Sequence, residues 1–192
     1  MELSRSQQKV STRPPVEREL ETRKAFGAFV IFLFSMSVPY FVMINVRYIM
    51  VAGFVPSTVD QTTGVIETIL MVLSGLTALA ASRALKGNNA KLYRTNGILT
   101  MILGGLATLM LIWEWWFHPF DPMSHYGETF LTTIGLCVFM HLVGLGVLMA
   151  ANMRMKRVGI TEANALGYRL NNVFWMFIVV TWVAMWLQLY FI

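Results

Sequence analysis

Four ionisable side chains lie inside long apolar stretches of this 192-residue sequence, where an unpaired charge is costly. They are Arg47, Glu67, Glu114 and His141. In such a setting a carboxylate could relay protons or bind an ion, and an arginine could pair with a carboxylate. A histidine could ligate a metal or a haem, or form a hydrogen bond to a neighbouring helix. The depth and the neighbours of each side chain decide between these chemistries.

Five apolar stretches must position these residues, and each is close to the roughly 20 residues that a helix needs to cross a hydrocarbon core of about 30 Å. They cover about 25–54, 64–85, 97–117, 130–153 and 173–192. Because 56% of the residues are apolar and the charged residues lie between the stretches, an ordinary soluble domain is excluded. Continuous apolar runs also argue against a β-barrel. The sequence therefore predicts an all-α membrane protein: a polar, basic tail over 1–24, followed by one five-transmembrane-helix bundle over 25–192.

The lysines and arginines predict the orientation of this bundle. Of the 15 such residues, all except Arg47 lie in the tail and in the second and fourth connections. The first and third connections, about 55–63 and 118–129, contain none. The positive-inside rule then predicts a cytoplasmic N-terminus and a C-terminus outside. Because topology explains the positive charge, we predict no nucleic-acid partner.

This orientation places Arg47, Glu67 and Glu114 at a similar depth, near the outer ends of the first three helices. We predict that Arg47 pairs with Glu67 or Glu114 as a structural contact, since a guanidinium fork suits a carboxylate. The alternative is a proton relay or an ion site at one of the two carboxylates. That alternative needs a polar path across the membrane, and the sequence shows none toward the cytoplasmic side.

The histidines do not predict a haem site in this chain. His141 is the one histidine at mid-depth, because His118 and His125 lie in an outer connection. Ligation of a haem by two histidines needs both at matched depth on facing helices, so a hydrogen bond across helices is favoured for His141 over a role as a metal ligand. The single Cys137 excludes an internal disulfide and a cysteine metal cluster. We predict no catalytic, cofactor-binding or metal-binding residue.

Two further patterns concern packing. Trp113, Trp115 and Trp116 surround Glu114 and predict an aromatic belt at the outer interface. Small residues at which helices can approach closely are Ser74, Ala78 and Ser82 in the second helix, and Gly97, Gly104 and Gly105 in the third.

The order of these features resembles subunit III of the haem-copper respiratory oxidases, which include the cytochrome c and quinol oxidases, in its short five-helix bacterial form. The resemblance covers about residues 24–192. The segments that carry it are Ile66-Glu67-Thr68, Lys86-Gly87-Asn88-Asn89, Trp113-Glu114-Trp115-Trp116-Phe117-His118, Tyr126-Gly127, Gly135 with Gly144, and Phe174-Trp175 with Trp182.

The chain departs from the family pattern at polar positions inside the bundle. The family usually has Trp-His-Phe-x-Asp-x-x-Trp in its last helix, and here the histidine and aspartate positions hold Met176 and Val179. In the fourth helix the two histidine positions hold Cys137 and Met140, with His141 one place further on. The first helix lacks the embedded carboxylate of many members, since residues 34–39 contain none. The chain is therefore either a divergent subunit III or a relative that joins a different membrane complex.

The resemblance implies a non-catalytic accessory role without its own redox cofactor. The implied partners are the catalytic subunit I and a copper-binding subunit II, which hold the haem and copper, together with membrane lipids, including bound phospholipid. The implied location is the bacterial inner membrane, as a multi-pass protein. Arg47, Glu67 and Glu114 would then be structural polar contacts. Two alternatives remain open: an accessory subunit of a nitric oxide reductase or another quinol-oxidising complex, and a small autonomous transporter.

Overall fold

The computed structural model describes residues 15–191, and these residues form five helices and no strand. The helices are α1 (Pro15–Val51), α2 (Gln61–Lys86), α3 (Ala90–Trp116), α4 (His125–Val158) and α5 (Glu162–Tyr190). All five are long and apolar enough to cross a membrane. The predicted all-α, five-helix membrane architecture is confirmed, whereas the orientation of the termini stays a prediction.

The first helix differs from its predicted bounds at both ends. It begins at Pro15, inside the segment predicted as the tail, because a proline fits the first turn of a helix, where its missing N–H is not needed. It ends at Val51 and not near residue 54, since Ala52 and Gly53 take positive φ angles of 50° and 79°. Residues 1–14 of the predicted tail lie outside the described residues.

The fourth and fifth helices also extend beyond the apolar stretches that predicted them. Helix α4 begins at His125, where Ser124 Oγ accepts the Gly127 N–H at 3.0 Å. Ahead of α5, Asn164 Oδ1 accepts the Thr161 N–H at 2.8 Å. Such capping residues are polar and lie outside an apolar stretch, so hydropathy alone does not find the helix ends.

Two tryptophans of α5 fill the centre of the bundle. Trp175 and Trp182 are fully buried. The Trp175 indole N–H donates to Ser74 Oγ at 3.1 Å, and the Trp182 indole N–H donates to Thr68 Oγ1 at 3.2 Å. These two bonds tie α5 to α2 while satisfying the polar edge of each buried ring.

The predicted close contacts at small residues are present in α2 and at two of the three glycines in α3. Ser74 and Ala78 are buried, and the Cβ of an alanine at Gly97 would lie 2.6 Å from the Asn152 amide nitrogen. The Cβ of an alanine at Gly104 would collide with the Trp175 ring, whereas no atom lies within 4 Å of one at Gly105. The contact face of α3 therefore includes Gly97 and Gly104 but not Gly105.

Helix α1 is the least covered of the five. In its most apolar window 6% of the residues are buried, against 33% to 50% in the other four helices. It packs mainly on α4 and α5. Most of its surface is thus left for lipid or a partner.

Candidate functional site

A cluster of buried polar side chains lies at one end of the bundle and draws on all five helices. Arg47 lies near the end of α1 and Glu67 near the start of α2. Glu114 lies near the end of α3, Tyr126 near the start of α4, and Tyr190 ends α5. Because consecutive helices alternate in direction, these positions meet at the same end. We call these five residues the polar cluster.

Glu67 is fully buried in the polar cluster. Its side chain is 0% exposed, and neither carboxylate oxygen has a hydrogen-bond partner among the described residues. The next residue, Thr68, accepts the Trp182 indole, so this turn of α2 faces the centre of the bundle. Burying a carboxyl group without a hydrogen-bond partner costs free energy, so Glu67 lowers the stability of the bundle unless its surroundings compensate for that cost.

Glu114 has a partner that the sequence did not predict. The Tyr190 hydroxyl donates to Glu114 Oε2 at 2.5 Å. Tyr190 fits there because α2 has a glycine opposite its ring: an alanine Cβ at Gly64 would lie 2.6 Å from Tyr190 Cε1. Nothing in the sequence singles out Tyr190, because its role depends on a contact with a residue 76 positions away.

Arg47 does not pair with either carboxylate, so the predicted ion pair is absent from this structure. Its guanidinium carbon lies 5.2 Å from the centre of the Tyr126 ring, and its two terminal nitrogens have no hydrogen-bond partner among residues 15–191. The side chain is nevertheless 1% exposed. The physical reason is the packing of α1 on α4 and α5, because the carboxylates belong to α2 and α3.

Tyr126 connects the two sides of the polar cluster. Its hydroxyl donates to the backbone oxygen of Leu189 at 3.0 Å, next to Tyr190. Its ring centroid lies 5.5 Å from that of Phe130, and the Phe130 centroid lies 5.7 Å from that of Tyr190. The cation and the carboxylates are thus separated by aromatic side chains.

Asp60, in the connection before α2, fixes the start of the helix that carries Glu67. Its Oδ1 accepts the Thr62 and Thr63 N–H groups at 3.0 and 3.3 Å, and its Oδ2 accepts the Thr63 hydroxyl at 2.6 Å. The Thr63 hydrogen bonds, the side-chain one first, hold the pKa of Asp60 below its usual value.

His141 lies apart from the polar cluster, on α4, and is 1% exposed. Its Nδ1 is 3.5 Å from the Thr108 Oγ1 of α3, and its ring lies 6.0 Å from that of Trp182. This geometry agrees with a contact across helices. Within residues 15–191, no group of three or more histidine, cysteine, aspartate or glutamate side chains could hold a metal ion.

The predicted aromatic belt is a set of exposed rings on the last turns of α3. Trp113 and Trp116 are 63% and 69% exposed. Trp115 is also exposed, and its indole N–H donates to the Leu131 backbone oxygen of α4 at 3.1 Å. One of the three tryptophans therefore also joins two helices next to Glu114.

Comparison with known proteins gives one family. The family model described as cytochrome c oxidase subunit III matches residues 26–192, which include most of α1 and all of the other four helices. The chain is 28% identical over 126 residues to cytochrome c oxidase subunit 3 of Heterololigo bleekeri, a match that covers 65% of this chain and 49% of that protein. It is 28% identical over 130 residues to the subunit 3 of Alkalihalophilus pseudofirmus, covering 65% and 63%, and 25% identical over 126 residues to that of Spodoptera frugiperda, covering 65% and 86%. The matched stretch spans about half the length of the first of these proteins and a larger share of the other two.

Proposed function

We propose that this chain, which belongs to the cytochrome c oxidase subunit III family, is an accessory subunit of a haem-copper respiratory oxidase. The observation that carries the proposal is the family match across residues 26–192, which includes most of α1 and all of the other four helices. The complex would transfer electrons to oxygen and translocate protons. This chain would contribute packing and not redox chemistry.

The interior of the bundle supports a role in packing and not in redox chemistry. Indole to hydroxyl hydrogen bonds and apolar packing fill its centre, and the polar cluster is confined to one end. The proposed role of Glu67, Glu114 and Arg47 is to hold the helix ends in a fixed arrangement. The haem and copper would then be bound by partners, a catalytic subunit I and a copper-binding subunit II.

Helix α1 is the element that we propose for contact with lipid or with the catalytic subunit. It exposes large apolar side chains along its length, among them Ile31 (69%), Phe34 (72%) and Ile49 (81%). We further propose a multi-pass location in a bacterial inner membrane, with the N-terminal basic tail cytoplasmic and residues 25–192 as a single domain. The absence of lysine and arginine from the 55–63 and 118–129 connections supports this orientation.

Purification from native membranes tests the proposal. The chain, tagged at its C-terminus, is extracted in mild detergent, copurifying proteins are identified by mass spectrometry, and the haem spectrum is recorded. We expect a multi-histidine catalytic subunit and a haem signal in the same fraction. Recovery as a haem-free oligomer of this chain alone would overturn the proposal.

A further inference from the structure

Two buried polar side chains with complementary unused groups lie where α1 meets α4 and α5. They are Arg47 and Gln188 of α5. The two terminal nitrogens of Arg47, which are donors, and the side-chain oxygen Oε1 of Gln188, which is an acceptor, have no hydrogen-bond partner among residues 15–191. Leaving a buried polar group unsatisfied costs about 1–3 kcal/mol, so such groups are nearly always bonded to protein or to ordered water.

The contacts of the two side chains bring them to the same part of the bundle. The Gln188 amide nitrogen donates to the Ile44 backbone oxygen at 3.3 Å, and Arg47 follows Ile44 by three residues, on the same side of α1. The Arg47 guanidinium lies over the Tyr126 ring. The Tyr126 hydroxyl donates to the backbone oxygen of Leu189, the residue after Gln188. We call Arg47, Tyr126 and Gln188 the α1 seam.

The α1 seam lies close to the ends of two helices. Arg47 is four residues before Val51, where α1 ends, and Gln188 is two residues before Tyr190, where α5 ends. At a rise of about 1.5 Å per residue, they lie about 6 Å and 3 Å from those ends. Water can therefore reach the seam from the end of the bundle without crossing its apolar centre.

The unused groups of the α1 seam distinguish water from an ion. A guanidinium keeps its charge in proteins, so Arg47 by itself would also attract a small anion. An anion accepts hydrogen bonds but donates none, and it would leave Gln188 Oε1 unsatisfied. A metal cation would bind Gln188 Oε1 but would be repelled by Arg47. Water accepts from the guanidinium and donates to the amide oxygen, and so it satisfies both side chains.

We propose that the α1 seam binds ordered water, which accepts a hydrogen bond from Arg47 and donates one to Gln188 Oε1. Helix α1 is then held on α5 through water as well as through the direct bond from Gln188 to Ile44. A bridging water is enthalpically nearly as good as a direct hydrogen bond, and its immobilisation costs at most about 2 kcal/mol. Such water allows α1 to carry a buried cation that pairs with no carboxylate. The proposal does not depend on which complex the chain joins.

The test is hydroxyl-radical footprinting of the full chain by X-ray irradiation, with the chain purified together with any subunits that remain attached. Irradiation converts bound water into hydroxyl radicals, which oxidise the side chains beside it even where bulk water does not reach. Mass spectrometry then locates the oxidised residues. Tyr126 is the reporter. Tyr40 and Tyr93 are the matched controls, because they are buried tyrosines that lie outside the α1 seam.

We expect Tyr126 to be oxidised at least about fivefold faster than Tyr40 and Tyr93, because only Tyr126 lies beside the proposed water. Gln188→Leu removes the acceptor and should slow the oxidation of Tyr126 by at least about threefold. The control Gln61→Leu also removes an amide at this end of the bundle, one that donates to the Tyr190 backbone oxygen, and should leave the rate within about 1.5-fold of the native rate. Oxidation of Tyr126 no faster than that of the two control tyrosines, or equal effects of the two leucine variants, would overturn the proposal.

The same assay tests for an anion at Arg47. If replacing chloride by gluconate changes the oxidation rate of Tyr126 by more than about twofold, the site holds an anion and the assignment to water is overturned. If Gln188→Leu does not fold, the comparison of Tyr126 with Tyr40 and Tyr93 in the native chain decides, since it needs no variant. The footprint is measured whether or not haem copurifies, so failure of this proposal and failure of the oxidase proposal give different results.

Discussion

Gly104 and Gly105 are neighbours on α3 whose substitution by alanine should have opposite effects on stability. At Gly104 the added Cβ would collide with Trp175 Cζ2 and lie 2.8 Å from Cη2 of the same ring. At Gly105 no atom lies within 4 Å of the added Cβ. The two substitutions thus make the same chemical change, one against a buried ring and one in open space.

The Trp175 ring has little room to retreat from the new methyl group. On α4, a Cβ at Gly144 would already lie 2.9 Å from Trp175 Cε3, so the ring has a helix backbone close to it there. Its indole N–H is also bonded to Ser74. Overpacking of this kind costs about 1–3 kcal/mol. Alanine at Gly105 should instead stabilise the helix by about 0.5–1 kcal/mol. The same gain in helix propensity applies at Gly104, so the two variants should differ by the overpacking cost alone, roughly 1–3 kcal/mol.

The measurement is the free energy of unfolding of the full chain in mixed micelles, titrated with a denaturing detergent. Each alanine is also introduced into a Trp175→Phe background, because phenylalanine lacks the ring atoms that the Gly104 Cβ would meet. In that background the cost of Gly104→Ala should fall below about 1 kcal/mol. The reasoning is refuted if Gly104→Ala is as mild as Gly105→Ala, or if Trp175→Phe leaves its cost unchanged.

Three other substitutions address the polar cluster and the start of α2. Tyr190→Phe should lower the free energy of unfolding by about 1–2 kcal/mol, because it removes the donor to buried Glu114. The control Tyr48→Phe, at an exposed site, should change it by less than about 0.5 kcal/mol. Equal effects of the two substitutions would contradict this prediction. Glu67→Gln should make the purified complex dissociate at a lower detergent concentration, while the electron-transfer rate of the intact complex stays within about twofold of the native rate. A stable complex that has lost one chemical step would argue against a structural role for Glu67. Asp60→Ala should destabilise the chain by about 1 kcal/mol at neutral pH through loss of the helix cap. Because the Thr63 hydrogen bonds lower the folded-state pKa of Asp60, the advantage of the native chain should be complete above the unfolded-state pKa and disappear as pH falls through the folded-state pKa; a stability difference independent of pH would contradict this account.

The sequence predicts the helices well because each apolar stretch must satisfy its own backbone hydrogen bonds in lipid, whatever surrounds it. Helix ends are less predictable, since they depend on local groups such as Ser124 and Asn164 that hydropathy does not register. Burial of Glu67 and Glu114 could be predicted from their depth. The hydrogen bond from Tyr190 to Glu114 could not be predicted from the sequence. It depends on which side of α5 faces α2 and on the space that Gly64 leaves for the Tyr190 ring.

The partner of Arg47 could likewise not be predicted from the sequence, and the structure changes the interpretation of this residue. Counting along the sequence gives a side chain its depth, but the partner it meets depends on which helices flank its own. Tyr40 and Arg47 are the two buried side chains of α1 among residues 19–51, and their spacing of seven residues places them on one face. Tyr40 packs edge-on against Phe177, and Arg47 lies over the Tyr126 ring.

These two contacts are on the face that α1 presents to α4 and α5, and the Gln188 side-chain amide of α5 adds a donor to the Ile44 backbone oxygen at 3.3 Å. A cation over an aromatic face is attracted to it without any carboxylate, and the attraction is stronger when water is excluded. Arg47 can therefore hold α1 on the bundle while Glu67 and Glu114 serve α2, α3 and α5. A helix attached along one narrow face keeps the rest of its apolar surface exposed, and a subunit that acts by packing against lipid or a larger partner requires such a surface.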